Sequence, residues 1–282
     1  MDNRLENLKK IQNVFLNCFY SSKNTEASFI DLISDKKTDF SRYNYFYAKY
    51  LVSIEKKSHA KIIIKKALED YPRNLLLNQL RIDLERSKTK VDFDCKKETD
   101  VIAELLYIAA NALSTQTIYQ LSNFYLNLSK FLNKDFHVFD TLLAENFYSI
   151  DDLKTAKNIY RELKNFGNAF KWYSDKQISR ILIQEEKKEQ SLSLLEKSYN
   201  ELTYKGIYEI FDYAEFLKNN EEFEKSIIFY TEILKKIDRD HPLFSEVTDG
   251  RGVSFERVGK WDNAEKDLLL SLEVNPDQAY VI

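Results

Sequence analysis

The stretch Gly250 to Gln278, GRGVSFERVGKWDNAEKDLLLSLEVNPDQ, decides the fold. Gly252, Phe255, Gly259, Trp261, Ala264, Leu268 and Pro276 stand in it at the spacing of a helix–turn–helix unit of about 34 residues. Each residue type has a physical job there. Small Gly252 and Ala264 let two antiparallel helices approach closely, Gly259 and Trp261 form and plug the turn, and Pro276 ends the second helix.

The same unit recurs upstream. The small residue of each second helix falls at Ser122, Ala156, Ser191, Ser226 and Ala264, at a near-constant step of one repeat length with only the last step longer. The small residue of each first helix, at Ala110, Ala144, Ser179, Ala214 and Gly252, precedes it by the same offset every time. Serine at such a site has a volume close to alanine, and its hydroxyl can bond the carbonyl one turn back. The repeats span about 103–136, 137–170, 172–205, 207–240 and 245–278, the last displaced by His241 to Phe244, where His241-Pro242 stops one helix and restarts the next.

Before residue 103 the pattern is looser. Residues 41–74 form a repeat through Ala48, Leu51, Ala60, Ile64, Ala67 and Pro72, with Lys57 in place of the turn aromatic and no turn glycine. A partial repeat, 75–102, has a first helix, NLLLNQLRIDLER, whose partner is replaced by Ser87 to Asp100, expected as a loop crossing the surface. Residues 1–40 are expected to form an atypical terminal hairpin, because Leu5, Leu8, Ile11, Phe15 and Phe19 share one helical face and a short helix covers Thr25 to Ile33.

On these motifs the chain resembles the tetratricopeptide repeat (TPR) family, and among its members bacterial multi-repeat proteins in which a pattern ending NPDQ leads into further repeats. The resemblance implies an all-α, right-handed TPR-like solenoid of antiparallel helical hairpins. It also implies a non-catalytic scaffold that holds a peptide or protein segment in a concave groove lined by first helices. The groove candidates are Tyr107, Asn111, Tyr148, Tyr173, Lys176, Arg180, Tyr208 and Phe211, with Tyr45, Lys49, Glu145, Glu215, Asp249 and Glu256 on the same face. An acidic partner carrying aromatic or apolar side chains would meet Lys176 and Arg180. The competing reading has Glu145 and Glu215 neutralise that pair and the aromatics serve as packing.

After Pro276 the residues AYVI, 279–282, look like the start of another first helix that stops, so a fragment of a longer array is expected. Leu268, Leu269, Leu270 and Leu272 would then lack a cover, and self-association through the C-terminal end follows. Two other roles stay open: a helical accessory region of a larger enzyme, and a bacterial envelope assembly factor. A catalytic motif outside the stretch would favour the first, an upstream signal peptide the second.

Composition narrows the classes. Five Gly and three Pro among 282 residues favour helices over turn-rich sheets. A net charge of −3 from 42 basic and 45 acidic side chains gives no surplus to bind nucleic acid. The N-terminus MDNRLENLKK carries charges where an export signal has its apolar core, and the run Val101 to Leu113 is broken by Glu104 and Asn111, so no membrane insertion is expected. As written the chain reads as soluble and cytoplasmic, or periplasmic behind an upstream signal peptide. Cys18 and Cys95 allow at most one bridge and leave the redox compartment open.

No catalytic, metal or cofactor site is expected. His59, His137 and His241 are scattered, neither cysteine has a CxxC neighbour, and Gly252 to Lys260 lacks the P-loop spacing. Asp151, Asp152, Glu221 and Glu222 fall in turns before second helices, where they suit the helix dipole. The lysines at 56, 57, 61, 65 and 66 fit a solvated helix face beside Glu55, Glu69 and Asp70.

Overall fold

A computed structural model describes residues 3–35, 37–87 and 91–276, with side chains from residue 6 onward. All regular structure among them is helical, in fifteen α-helices and one short 3-10 helix, Lys164–Phe166. The chain divides into two compact units, Met1–Ile181 and Leu182–Ile282. In the first lie α1 (Asn3–Phe19), α2 (Thr25–Ser34), α3 (Ser41–Ser53), α4 (Lys57–Asp70), α5 (Leu75–Glu85), α6 (Glu98–Ser114), α7 (Tyr119–Leu132), α8 (Phe139–Ser149), α9 (Leu153–Leu163) and most of α10 (Asn168–Gln184). The second holds α11 (Lys188–Asn200), α12 (Ile207–Asn219), α13 (Phe223–Leu234), α14 (Phe244–Arg257) and α15 (Trp261–Val274). No described helix is long and apolar enough to cross a membrane.

Antiparallel hairpins pair α1 with α2, α3 with α4, α6 with α7 and α8 with α9 in the first unit, and α12 with α13 and α14 with α15 in the second. In these hairpins the marker residues lie where the backbones approach, and all ten markers, Ser179 and Ser191 included, are buried. A Cβ added at Gly252 would stand 2.9 Å from Leu268, which is why glycine serves there. The Ser122 hydroxyl does not reach back one turn as expected. It donates across the hairpin to the Ala110 carbonyl at 2.8 Å, whereas Ser226 does bond one turn back, to the Phe223 carbonyl at 2.8 Å.

Each hairpin turns on a residue in the left-handed region. Ser21, Glu55, Thr117, Asp151, Glu186 and Glu221 take φ of 52° to 67°, and Gly259 takes 75°. The turn needs that conformation, and only one repeat supplies the residue that adopts it without strain. Ser87, φ 56°, takes the same left-handed conformation after α5. Ser21 stands one repeat length before Glu55, so the N-terminal hairpin keeps the repeat register. Trp261 does not plug its turn. Backbone bonds Gly259 N to Glu256 O, 3.0 Å, and Lys260 N to Phe255 O, 2.9 Å, close the turn unaided, and the Trp261 ring is 66% exposed.

The segment after α5 departs most from expectation. It ends at Lys97, because Glu98 opens α6, and its described part, 91–97, mixes exposed Val91, Lys96 and Lys97 with side chains that turn inward. Phe93 and Cys95 are buried. Phe93 enters an aromatic cluster, with ring centroids 4.5 Å from Phe46, 5.7 Å from Phe15 and 5.8 Å from Phe136. Asp92 Oδ1 accepts from the Tyr45 hydroxyl at 2.8 Å and meets Lys49 Nζ at 2.6 Å. Cys95 is disulfide-bonded to Cys18 of α1, with Cα atoms 5.8 Å apart. Among the described residues of this stretch Phe93 and Cys95 turn inward and Asp92 takes fixed partners, while Val91 stays exposed.

Other boundaries shift less. α10 begins at Asn168, four residues before 172, where Gln79 Oε1 of α5 accepts from Ala169 N at 3.0 Å. Gly167, φ 135°, permits the approach, since a Cβ there would overlap the Gln79 side chain. Leu269 is exposed and Leu268, Leu270 and Leu272 are half-buried. The expected further helix at 279–282, together with Asp277 and Gln278, lies outside the described residues, as does the Leu5 side chain. Lys56 pairs with Glu26, and Lys57, Lys61, Lys65 and Lys66 are exposed.

Two changes test this picture by urea unfolding. The disulfide spans 77 residues, and Cys95→Ser should cost about 2–4 kcal/mol; a loss under ~0.5 kcal/mol would show that the buried segment needs no staple. Glu55→Gly should gain about 0.5–1 kcal/mol by relieving the left-handed turn, and a loss would contradict the turn argument.

Candidate functional site

First helices present the candidate residues, and within the first unit these come from α6, α8 and α10. Tyr107 of α6 is half-buried and already engaged. The Arg42 guanidinium lies 3.9 Å from its ring centroid, and Phe139 packs at 5.6 Å. Arg42 is itself held by Glu104 through two bonds of 2.7 Å, and Glu104 has no exposure. Burial works against both charges of this pair. It raises the Glu104 pKa despite Arg42, while for Arg42 the opposing field of Glu104 wins and its pKa also rises. Asn111, one turn on, is exposed.

The better-formed surface lies between α8 and α10. Arg180 is exposed and sits 4.2 Å above the Tyr148 ring. Tyr173 donates its hydroxyl to Glu145 Oε1 at 2.5 Å, and its ring packs on Tyr160 at 6.0 Å. Burial, then the Glu145 charge, raises the Tyr173 pKa, so the phenol stays a donor. Lys176 lies 5.5 Å from the Trp172 ring. Glu145 therefore binds a tyrosine, not Arg180, and the cation–aromatic pair of Arg180 with Tyr148 stands beside it. Arg180 holds its charge at the surface, where an incoming carboxylate can reach it.

In the second unit Phe211 is only 5% exposed and packs on Tyr230 at 6.3 Å, which makes it a core side chain. Tyr208 is half-buried, 6.2 Å from His241. Glu215 accepts from the buried Tyr230 hydroxyl and pairs with Lys218 at 2.9 and 3.0 Å. Gly250 makes room for this group, because a Cβ there would lie 2.6 Å from Tyr230 and 3.0 Å from Glu215 Oε1. Asp249 adjoins it, 9% exposed, with Oδ1 lacking any hydrogen bond. Burial raises the Asp249 pKa, Lys218 opposes that, and Glu215 adds to it.

One pocket in the first unit went unread in the sequence. Tyr45, Lys49, Gln79, Asp92, His137 and Phe170 are among its walls, and it opens to solvent. His137 stacks on Phe166 with centroids 3.4 Å apart. Its walls depend on the buried segment after α5, and no local spacing announces a cavity built that way. Among the described residues no group of His, Cys, Asp and Glu is arranged to hold a metal ion.

No family model matches the sequence, and no curated protein matches it. Solved TPR structures are similar in fold. YrrB, described as a TPR protein with an unusual peptide-binding site, shares 12% identity over 77% of this chain and 95% of its own, with a TM-score of 0.44. The APC/C hetero-tetramer Cut9–Hcn1 shares 14% over 95% of this chain and 55% of that chain, TM-score 0.45. The P58(IPK) TPR domain shares 12% over 97% and 95%, TM-score 0.32. The all-α architecture of paired helices that the repeats announce is carried by the chain's own helices.

The orphaned Asp249 oxygen gives a pH test. A raised folded pKa means that the contribution of Asp249 to stability is present in full below the unfolded value of about 3.9 and is lost as pH rises through the folded value. Asp249→Asn should therefore unfold at higher urea than wild type at pH 7, with the difference gone near pH 3.5. A difference independent of pH would refute the buried-charge reading.

Proposed function

We propose that this chain is a non-catalytic protein–protein interaction scaffold that binds a segment of a partner on its first-helix faces. The observation that carries the reading is the surface between α8 and α10. There Arg180 over Tyr148, and Tyr173 anchored by Glu145, link α10 to α8, with Lys176 beside Trp172. Such a surface suits recognition because its side chains are held by partners of their own, so little rotamer freedom is lost on binding. Aromatic and arginine residues are also those on which binding energy concentrates.

The chemistry favours an acidic segment with apolar or aromatic side chains. Arg180 and Lys176 would take its carboxylates, and the exposed edges of Tyr148 and Tyr173 its apolar groups. Glu145, the carboxylate beside them, is engaged in a structural hydrogen bond with Tyr173.

A pull-down from the native source compares wild type with Tyr173→Ala/Arg180→Ala after circular dichroism shows equal helicity. The double variant should lose the principal partner, or bind it at least ~10-fold more weakly by titration. An unchanged partner set at unchanged affinity would remove the α8–α10 surface from the function.

A further inference from the structure

The face of α7 turned away from its hairpin has the wrong chemistry for a solvated surface. Leu121, Phe124, Leu128 and Phe131 are 44, 57, 36 and 72% exposed, and Ile118 just before the helix is 42% exposed. At about 100° per residue the four helical positions fall within an arc of about 80°, roughly opposite the buried Ser122, Leu126 and Ser129. Counting from the aligned small residues, the α9 repeat carries Thr155, Asn158, Glu162 and Asn165 at the same four positions, and those of the α11 repeat are likewise all polar. Among the described helices α7 packs only on α6 and α8. The apolar stripe is therefore specific to this helix and uncovered.

We propose that this stripe is a homodimer interface, in which α7 pairs antiparallel with α7 of a second copy. The spacing supports that occupant. Steps of three, four and three residues read the same in both directions, so an antiparallel copy sets Leu121 against the second copy's Phe131, and Phe124 against its Leu128. Every contact then joins a Leu to a Phe, and none opposes two rings. The flanks do not resist: Gln120, Asn123 and Asn127 are neutral, and Lys130 is turned to an ion pair with Asp140. Two like-charged rims would have excluded self-pairing.

Area sets the strength. Covering the exposed parts of these five side chains on both copies removes on the order of 1,000 Å² from water, at the lower edge of specific interfaces. The dimer is accordingly weak, forming at micromolar to high-micromolar chain concentration, and each copy keeps its α8–α10 surface unchanged. The proposal stands apart from the partner-binding reading above, since the stripe shares no residue with that surface.

Sedimentation velocity from about 1 µM to 1 mM tests it. The wild-type mass should rise toward twice that of the chain, and Phe124→Lys should shift the midpoint at least ~10-fold upward, because each dimer then buries two lysines against apolar neighbours. The site is exposed, so circular dichroism should show the variant folded. Register is read separately. A mixture of Leu121→Cys and Phe131→Cys chains, mildly oxidised, should cross-link between the two variants in preference to within either one. A wild type that stays monomeric throughout, a Phe124→Lys chain that dimerises undiminished, or cross-linking without that preference would each overturn the proposal.

Discussion

Close approach of two helix backbones at a pair of residues without bulk is the constraint on which the hairpins depend. Once Ala110 faces Ser122, or Gly252 faces Ala264, the turn between them has one length. The left-handed residue falls seven positions after the first marker and five before the second in every regular repeat, as Ala144, Asp151 and Ala156 show. That geometry is demanding enough for Asp151, Glu186 and Glu221 to accept a backbone conformation that glycine would adopt without strain. Packing wins because burial of a whole hairpin face outweighs about 1 kcal/mol at one turn.

The partial repeat shows what happens when the constraint is not met. Counting seven and five from Leu80 passes through Ser87, correctly left-handed, and arrives at Asp92. A carboxylate cannot be buried between two helix backbones without a partner. In the described residues Asp92 goes instead to Tyr45 and Lys49, and Phe93 packs against Phe46. The missing helix is replaced by a plug that builds its stability from one aromatic side chain, one disulfide and a set of polar bonds.

Much of this was legible in the sequence. The hairpins from residue 103 onward followed from markers whose spacing holds whatever the surface residues do, and the N-terminal hairpin followed from one apolar face. The segment after α5 differs because charge and lack of period describe a surface loop as well as one that buries Phe93 and Cys95 and gives Asp92 to Tyr45 and Lys49. Only Phe93 and Cys95 in its middle pointed inward. The site residues were harder still. A first-helix position tells which face a side chain takes, and so Tyr148, Tyr173 and Arg180 were found together. It does not tell how deep the side chain goes, which is why Phe211 and Tyr107 prove to be occupied by the protein's own packing. Of the two readings of Glu145, the one that pairs it with Arg180 fails, because the Tyr173 hydroxyl on the adjacent first helix reaches it.

Arrays of helical hairpins ordinarily couple only neighbours, so that their folding resembles a row of dominoes with independent stabilities. The first unit is laced differently. Gln79 holds the start of a helix 90 residues later, Arg42 reaches Glu104 past a hairpin partner and a broken repeat, and Cys18 is joined to Cys95. Each link skips intervening elements and closes a loop that must be formed before the link rewards it. A chain tied in this way loses the option of fraying from its end one repeat at a time. The unit Met1–Ile181 should behave as a single cooperative body with the slower, all-or-none folding of a globular domain, although every element in it is drawn from a linear design.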